Sequence, residues 1–116
     1  MTPDSPAQPA LADWDDYVEA VLSVVEAVPA GRATTYGAIA EAVGSRGPRS
    51  VGRVMSTYGG SVPWWRVVRA DGSLPPSHDE EALARYREEG TALRASGRRV
   101  DLTRSAWWPS PAERRA

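Results

Sequence analysis

Glycines and prolines divide this chain into short apolar repeats, and that spacing restricts it to a domain built from short helices. From residue 14 onward, apolar side chains recur every three or four positions until Pro29, which cannot continue a helix. Asp13 stands immediately before the repeat, where an aspartate caps a helix well. The first predicted helix buries one face, formed by Trp14, Tyr17, Val18, Val21, Leu22, Val25 and Val28.

Two shorter helices follow across a tight connection. Thr34 or Thr35 is placed to cap a helix over residues 36–43, which Gly44 ends. Pro48 then suits the first position of a third helix, whose apolar positions are Val51, Val54, Met55 and Tyr58. The pair predicts a helix-turn-helix. By itself this is weak evidence for DNA binding, because many small helical bundles contain such a pair.

The second half of the chain predicts little strand. Residues 63–68 and the following Asp71-Gly72 turn indicate a short extended segment, with a small hairpin or wing. Residues 79–89 predict a helix that Gly90 ends, and a last helical turn is expected over 91–95. The apolar groups near the end are expected to form a strap packed on the domain: Val100, Leu102, Trp107 and Trp108. The predicted fold class is mainly α, a small helical domain with a winged-helix-like helix-turn-helix.

A chain of 116 residues is long enough for one domain with a modest core. We place that domain at residues 13–108, after a disordered lead at 1–12 and before a flexible tail at 109–116. No apolar run approaches a membrane span, and the first residues lack the basic and apolar parts of a signal peptide. We therefore expect a cytoplasmic protein, and a monomer.

The absence of cysteine from the sequence excludes several kinds of site. The chain has no thiol nucleophile, no thiolate metal site and no disulfide framework. A single histidine, His78, argues against a histidine-rich metal centre, although carboxylates alone can hold a hard cation. We expect no cofactor.

Charge is unevenly distributed along the chain. The net charge of −1 gives no general attraction to nucleic acid, but residues 32–69 are locally basic. Every basic side chain except His78 is an arginine, which suits bidentate contacts with phosphate. A compositional bias towards arginine explains this equally well. The arginines expected to neutralise phosphates are Arg46, Arg53 and Arg66.

The segment Pro63-Trp64-Trp65-Arg66-Val67 resembles Pro-Cys-His-Arg-Val, the active-site motif of the O6-alkylguanine-DNA alkyltransferases. In those enzymes the cysteine thiolate removes the alkyl group from a flipped-out guanine. An indole has no lone pair able to attack carbon, so Trp64 cannot act as that nucleophile. The chain therefore resembles the alkyltransferase-like proteins, which bind the lesion without repairing it.

Two further segments carry the resemblance, which covers about residues 14–90. Tyr36 matches the family tyrosine that presses on the phosphate of the target nucleotide and helps to rotate it out of the duplex. The segment from Pro48 to Gly52 is similar to the family's recognition helix, which implies that Arg49 takes the place of the flipped nucleotide. Ser50 and Gly52 are small enough to permit close approach to the minor groove, where this family places its helix.

The resemblance also implies a lesion pocket formed by Trp64, Trp65, Arg66 and Val67. Trp64 offers a flat apolar face on which the extruded base can stack. For Trp65, lining the pocket and packing in the core are equally favoured. Glu89 falls on the glutamate that ends the enzymes' catalytic relay; we expect an exposed carboxylate at a helix end, kept as a structural relic. His78 carries no argument for function.

The resemblance implies a non-enzymatic sensor of O6-alkylguanine in double-stranded DNA that flips the lesion and, as the family does, marks it for nucleotide excision repair proteins. One alternative is a sequence-specific helix-turn-helix regulator. Dimerisation, and loss of binding when the base sequence around an undamaged site is changed, would reveal it. A third hypothesis is an enzyme in which Glu89 and water release the alkyl group. It ranks last because a lone carboxylate lacks an electrophile stabiliser.

Overall fold

The computed structural model describes residues 13–44, 46–75 and 77–109. The predicted lead at 1–12 and residues 110–116 of the predicted tail lie outside these ranges. Within them the fold is mainly α, as predicted. The helices are α1 (Trp14–Ala27), α2 (Tyr36–Ala42), α3 (Pro48–Tyr58), α4 (Asp79–Glu89) and α5 (Leu102–Ser105). Short 3₁₀ turns occupy Gly59–Ser61 and Trp64–Arg66, and two-residue strands β1 and β2 occupy Thr34–Thr35 and Val67–Val68.

Helix α1 begins as the sequence predicts. The Asp13 carboxylate accepts hydrogen bonds from the backbone N–H groups of Asp15, at 2.9 Å, and Asp16, at 3.4 Å. The helix ends at Ala27, one residue before the predicted end, and Pro29 follows. No helix in the described part of the chain is long and apolar enough to cross a membrane.

The helix-turn-helix forms from the predicted caps. The Thr35 hydroxyl accepts a hydrogen bond from the Ala38 N–H at 3.1 Å, which starts α2. Gly47 has a φ of 86°, a conformation that favours glycine, and it places Pro48 at the start of α3. Helices α1, α2 and α3 enclose the first core. Its buried residues are Tyr17, Val18, Val21, Val24, Val25, Ile39, Ala40, Val51, Val54, Val62 and Val67.

A two-residue parallel ladder separates this core from a second one. Thr34 pairs with Val67, and Thr35 pairs with Val68. Because successive side chains of a strand point to opposite faces, Val67 packs in the first core and Val68 in the second. The second core contains Ala33, Val68, Leu74, Ala82, Leu83, Tyr86 and Val100. The low strand content is as predicted, but β2 pairs with β1 and not with a hairpin partner.

The C-terminal segment closes the second core. The predicted helical turn over residues 91–95 is wrong, because Leu93 forms an antiparallel bridge with Val100 and the residues between them form a hairpin turn. The last short helix is α5. The predicted strap forms in part. Trp107 packs against the first core, and its backbone N–H donates a hydrogen bond to the Ala33 carbonyl at 2.8 Å. Trp108 remains 57% exposed.

Candidate nucleic-acid interface

The two tryptophans lie in the 3₁₀ turn that leads into β2. Both are partly buried against the second core, and their rings meet edge to face with centroids 5.5 Å apart. The Trp65 carbonyl accepts a hydrogen bond from the Tyr86 hydroxyl at 2.6 Å. The turn is therefore fixed to α4 through its own backbone, by this hydrogen bond, and through the packing of its tryptophan side chains.

Glu89, the last residue of α4, holds this turn in place. Its carboxylate accepts hydrogen bonds from the Trp65 indole N–H at 3.1 Å, from the Arg66 Nε at 3.1 Å and from the Gly31 N–H at 3.3 Å. The side chain is only 13% exposed, so the expectation of an exposed carboxylate is wrong. A single carboxylate joins α4, the loop after α1 and the tryptophan turn.

The charge of Glu89 is stabilised by these donors. Burial is the largest single influence and raises the pKa of the carboxyl group. The hydrogen bonds from Arg66, Gly31 and Trp65 together outweigh burial and lower the pKa below its ordinary value. Glu89 is therefore ionised at neutral pH and is a weak base.

The structure does not support the phosphate contact expected of Arg66 or the place in the lesion pocket expected of Val67. The Arg66 guanidinium is paired with Glu89, bonds to the Val28 carbonyl at 2.9 Å and is 17% exposed. It is engaged inside the protein, so its assignment as a phosphate contact is corrected. Val67 is fully buried in the first core and has no surface to offer a base. Trp65 is partly buried against the second core, and its ring lies beneath the guanidinium of Arg85, 4.6 Å from the ring centroid.

The outward face of α3 carries the candidate DNA contacts. Val51 and Val54 are buried, which leaves Arg49, Gly52 and Arg53 on the opposite side. A Cβ placed on Gly52 would meet no atom within 4 Å, so packing does not explain this glycine. Glycine inside a helix destabilises it by roughly 1 kcal/mol relative to alanine. The space beside Gly52 is open, as close approach of a ligand to this face of α3 would require.

Arg46 and Arg53 are both held over the ring of Trp14. Their guanidinium carbons lie 5.7 Å and 5.0 Å from its centroid, and Arg46 also lies 5.1 Å from the ring of Tyr17. The Ser50 hydroxyl bonds to the Arg46 carbonyl at 3.1 Å. The connection before α3 and the second turn of that helix thus each carry an arginine that is restrained against the aromatic rings at the start of α1.

Tyr36 opens α2 and is partly buried against the first core. Burial raises the pKa of its hydroxyl, and the nearby charge of Arg69 lowers it to a lesser extent. The phenol is therefore protonated at neutral pH and can donate a hydrogen bond to phosphate.

His78 is a residue that sequence reasoning missed. Its exposed ring lies 5.5 Å from that of Trp64, at an angle of 55°. The contact joins the loop before α4 to the tryptophan turn. No spacing in the sequence indicates it, because a histidine in a Pro/Ser-rich loop has no fixed direction.

Comparison with known proteins identifies the family. Residues 16–97 match the family described as 6-O-methylguanine DNA methyltransferase, DNA binding domain. The chain belongs to this family. It is 34% identical to the DNA base-flipping protein of Escherichia coli K12 over 109 residues, which cover 88% of this chain and 82% of that protein. It is 28% identical to the DNA base-flipping protein of Vibrio parahaemolyticus over 100 residues, 82% of this chain and 99% of the relative.

Solved structures agree with this assignment. The fold is similar to that of Atl1 from S. pombe in complex with damaged DNA containing O6-carboxymethylguanine, with a TM-score of 0.70 and 28% identity. A second S. pombe ATL complex with DNA gives a TM-score of 0.69 at the same identity. Each match covers 82% of this chain and 97% of the other. The resemblance to alkyltransferase-like proteins is confirmed.

Removing the Glu89 charge should make the stability less dependent on pH. In Glu89→Gln we expect a loss of about 3 kcal/mol at pH 7, because the partly buried Arg66 loses its counterion. The folded pKa of Glu89 is depressed, so its stabilisation is full above the ordinary value of 4.5 and disappears as pH falls through the folded pKa. Urea unfolding at pH 7 and pH 3 should show a smaller difference between the two proteins at pH 3.

The adjacent Glu88 provides the control, since its side chain is 69% exposed. Glu88→Gln should unfold like the wild type at both pH values. If Glu89→Gln and the wild type differ by the same amount at pH 7 and pH 3, the Glu89 carboxylate does not stabilise the fold through its charge.

Gly52→Ala should separate folding from DNA binding. Alanine is the better helix former and finds open space here, so the free energy of unfolding should rise by up to about 1 kcal/mol. The added methyl group should obstruct close approach to DNA and lower the affinity for damaged and undamaged duplexes. Thermal unfolding and fluorescence anisotropy measure the two effects. Unchanged affinity would place DNA away from this face of α3.

Proposed function

We propose that this protein is a non-enzymatic sensor that binds O6-alkylguanine in duplex DNA by nucleotide flipping. The observation that carries the proposal is the tryptophan turn: Trp64 occupies the nucleophile position of the family motif and is held beside Trp65 by the Glu89 network. The chain has no cysteine to accept an alkyl group. The base-flipping relatives and the Atl1 complex with damaged DNA support the same function.

The site supplies what flipping requires. Extruding a base costs a few kcal/mol of stacking and pairing, and least for a damaged base. Arg49 is exposed on α3 and free to enter the emptied stack. Tyr36 offers a protonated hydroxyl for the phosphate, and Trp64 an apolar ring for the base.

The alternatives are less well supported. Catalysis by Glu89 requires a carboxylate that can accept a proton, whereas both of its oxygens already accept hydrogen bonds and its pKa is lowered. A sequence-specific regulator does not account for a tryptophan turn in place of a reactive cysteine. We further propose that the protein acts as a cytoplasmic monomer and marks the lesion for nucleotide excision repair proteins.

The wild type should leave O6-methylguanine chemically unchanged after prolonged stoichiometric incubation, because no thiolate exists to accept the methyl group. Mass spectrometry of protein and DNA tests this. Trp64→Cys should not restore efficient transfer, since Trp65 stands where the activating histidine would be. The double variant Trp64→Cys/Trp65→His is the more permissive test. Methylated wild-type protein or regenerated guanine would contradict the proposal.

Arg49 and Trp64 should fail in different ways. Arg49→Ala should leave a fluorescent base analogue dim at protein concentrations that saturate binding, because nothing fills the emptied stack. Trp64→Ala should still flip the base but lose about 1–3 kcal/mol of stacking, so that the preference for the alkylated site shrinks.

Each variant has a matched control in the chain. Arg53→Ala should weaken binding to damaged and undamaged duplex alike and still flip the analogue at saturation. Trp108→Ala removes an exposed indole distant in sequence from the tryptophan turn and should preserve the lesion preference. If Trp64→Ala keeps the preference while the melting temperature falls, Trp64 acts only in packing.

A further inference from the structure

A second basic surface lies in a groove outside the lesion site. The groove has a volume of about 890 Å³ and is formed by the turn after β2, the start of α4 and the turn that precedes Val100. Four of its lining residues are arginines: Arg69, Arg94, Arg98 and Arg99. None of the four belongs to the proposed DNA contacts on α2 and α3.

Backbone hydrogen bonds join the two turns and close the second one. The Val100 N–H bonds to the Gly72 carbonyl at 2.9 Å and joins them, and the Arg94 N–H bonds to the Arg99 carbonyl at 2.8 Å across the base of the second turn. Within the second turn, the Gly97 N–H bonds to the Arg94 carbonyl at 2.7 Å. The arginines thus extend from a supported hairpin rather than from a loose segment.

The groove retains positive charge after internal pairing. Arg99 lies 3.9 Å from the Asp71 carboxylate, with both side chains about half exposed. Arg69, Arg94 and Arg98 form no ion pair with a carboxylate in the described part of the chain. One acidic residue, Asp79, lines the groove. Guanidinium groups in this arrangement suit bidentate contacts with phosphate oxygens.

Arg69 connects the groove to the flipping site. Arg69 and Tyr36 directly follow β2 and β1, and the parallel pairing of these strands places the two residues at the same end of the ladder. Burial raises the pKa of the Tyr36 hydroxyl, and the charge of Arg69 lowers it to a lesser extent. Because Arg69 lines the groove, the groove begins at the end of the ladder that carries Tyr36. An acidic peptide would satisfy the charge of the arginines but would not require this continuity with Tyr36.

We propose that the groove of Arg69, Arg94, Arg98 and Arg99 binds the sugar-phosphate backbone of one DNA arm flanking the lesion. The inference rests on the proposed function for its ligand and adds a second contact region to it. The whole chain carries a net charge of −1, so its overall charge does not attract DNA. The arginines of the groove supply a local attraction to the phosphates of the duplex.

Ala95 allows a test in which only charge changes. It is exposed and lines the groove, so glutamate and glutamine fit equally well there. Ala95→Glu should weaken binding to methylated and undamaged duplexes alike, and Ala95→Gln should bind as the wild type does. The double variant Arg94→Gln/Arg98→Gln should reduce the slope of log affinity against log salt by about 2, since each phosphate contact contributes about 0.9.

Varying the length of the DNA arms shows which arm the groove contacts. Binding is compared between duplexes that carry O6-methylguanine with long arms on both sides and duplexes in which one arm is trimmed to a few base pairs. Trimming one particular arm should weaken wild-type binding, and the double variant should be insensitive to that trimming. Arg87→Gln, an exposed change on α4 outside the groove, is the control and should behave as the wild type does.

The outcomes separate the two proposals. Equal binding by Ala95→Glu and Ala95→Gln, or the same arm sensitivity in the double variant as in the wild type, would overturn the groove contact. Weaker binding of a polyglutamate peptide by the double variant, with DNA binding unchanged, would overturn it in favour of a protein partner. If the wild type binds methylated and undamaged duplexes equally well, the proposed sensor function is wrong. The comparison of duplexes with long and trimmed arms would still test the groove contact.

Discussion

The carboxylate of Glu89 is the contact on which the candidate site depends. It receives hydrogen bonds from the Trp65 indole, the Arg66 guanidinium and the Gly31 backbone, which come from segments far apart in sequence. Hydrogen bonds to a charged group are stronger than those between neutral groups, and the Glu89 carboxylate is largely shielded from water. The turn that presents Trp64 is therefore held from beneath, so that a base can stack on it without the ring first having to be ordered.

The parts of the fold that depend on local chemistry could be predicted from the sequence. Asp13 and Thr35 cap their helices, Pro48 begins α3 and Gly90 ends α4, because each acts through neighbouring backbone groups. The pairing of β2 with β1 could not be predicted, since two residues give too short a pattern to choose a partner. Residues 91–95 were misassigned for a similar reason: their conformation is set by the bridge from Leu93 to Val100.

The same distinction applies to the site. Helical periodicity predicts the apolar positions of α3, and Val51 and Val54 are buried as expected. The outward roles of Arg49 and Gly52 come from the resemblance to the family's recognition helix. The local excess of arginine indicates a phosphate contact for Arg66, whereas its guanidinium pairs with Glu89, 23 positions later, and no local pattern reveals such a distant partner. The contact of His78 with Trp64 likewise depends on how the loop folds back, and no residue pattern encodes that direction.

The second tryptophan shows how a catalytic arrangement can be retained without its chemistry. The resemblance places a histidine at position 65 and a glutamate relay at position 89. An indole N–H donates a hydrogen bond to that carboxylate at 3.1 Å, as a histidine ring N–H can, but indole has no second nitrogen to accept a proton. The polarity of the bond to Glu89 is thus compatible with either side chain, while the proton acceptor needed to activate a nucleophile is lost. With tryptophan also in the nucleophile position, the frame positions an aromatic surface instead of a reactive sulfur, which suits prolonged binding rather than turnover.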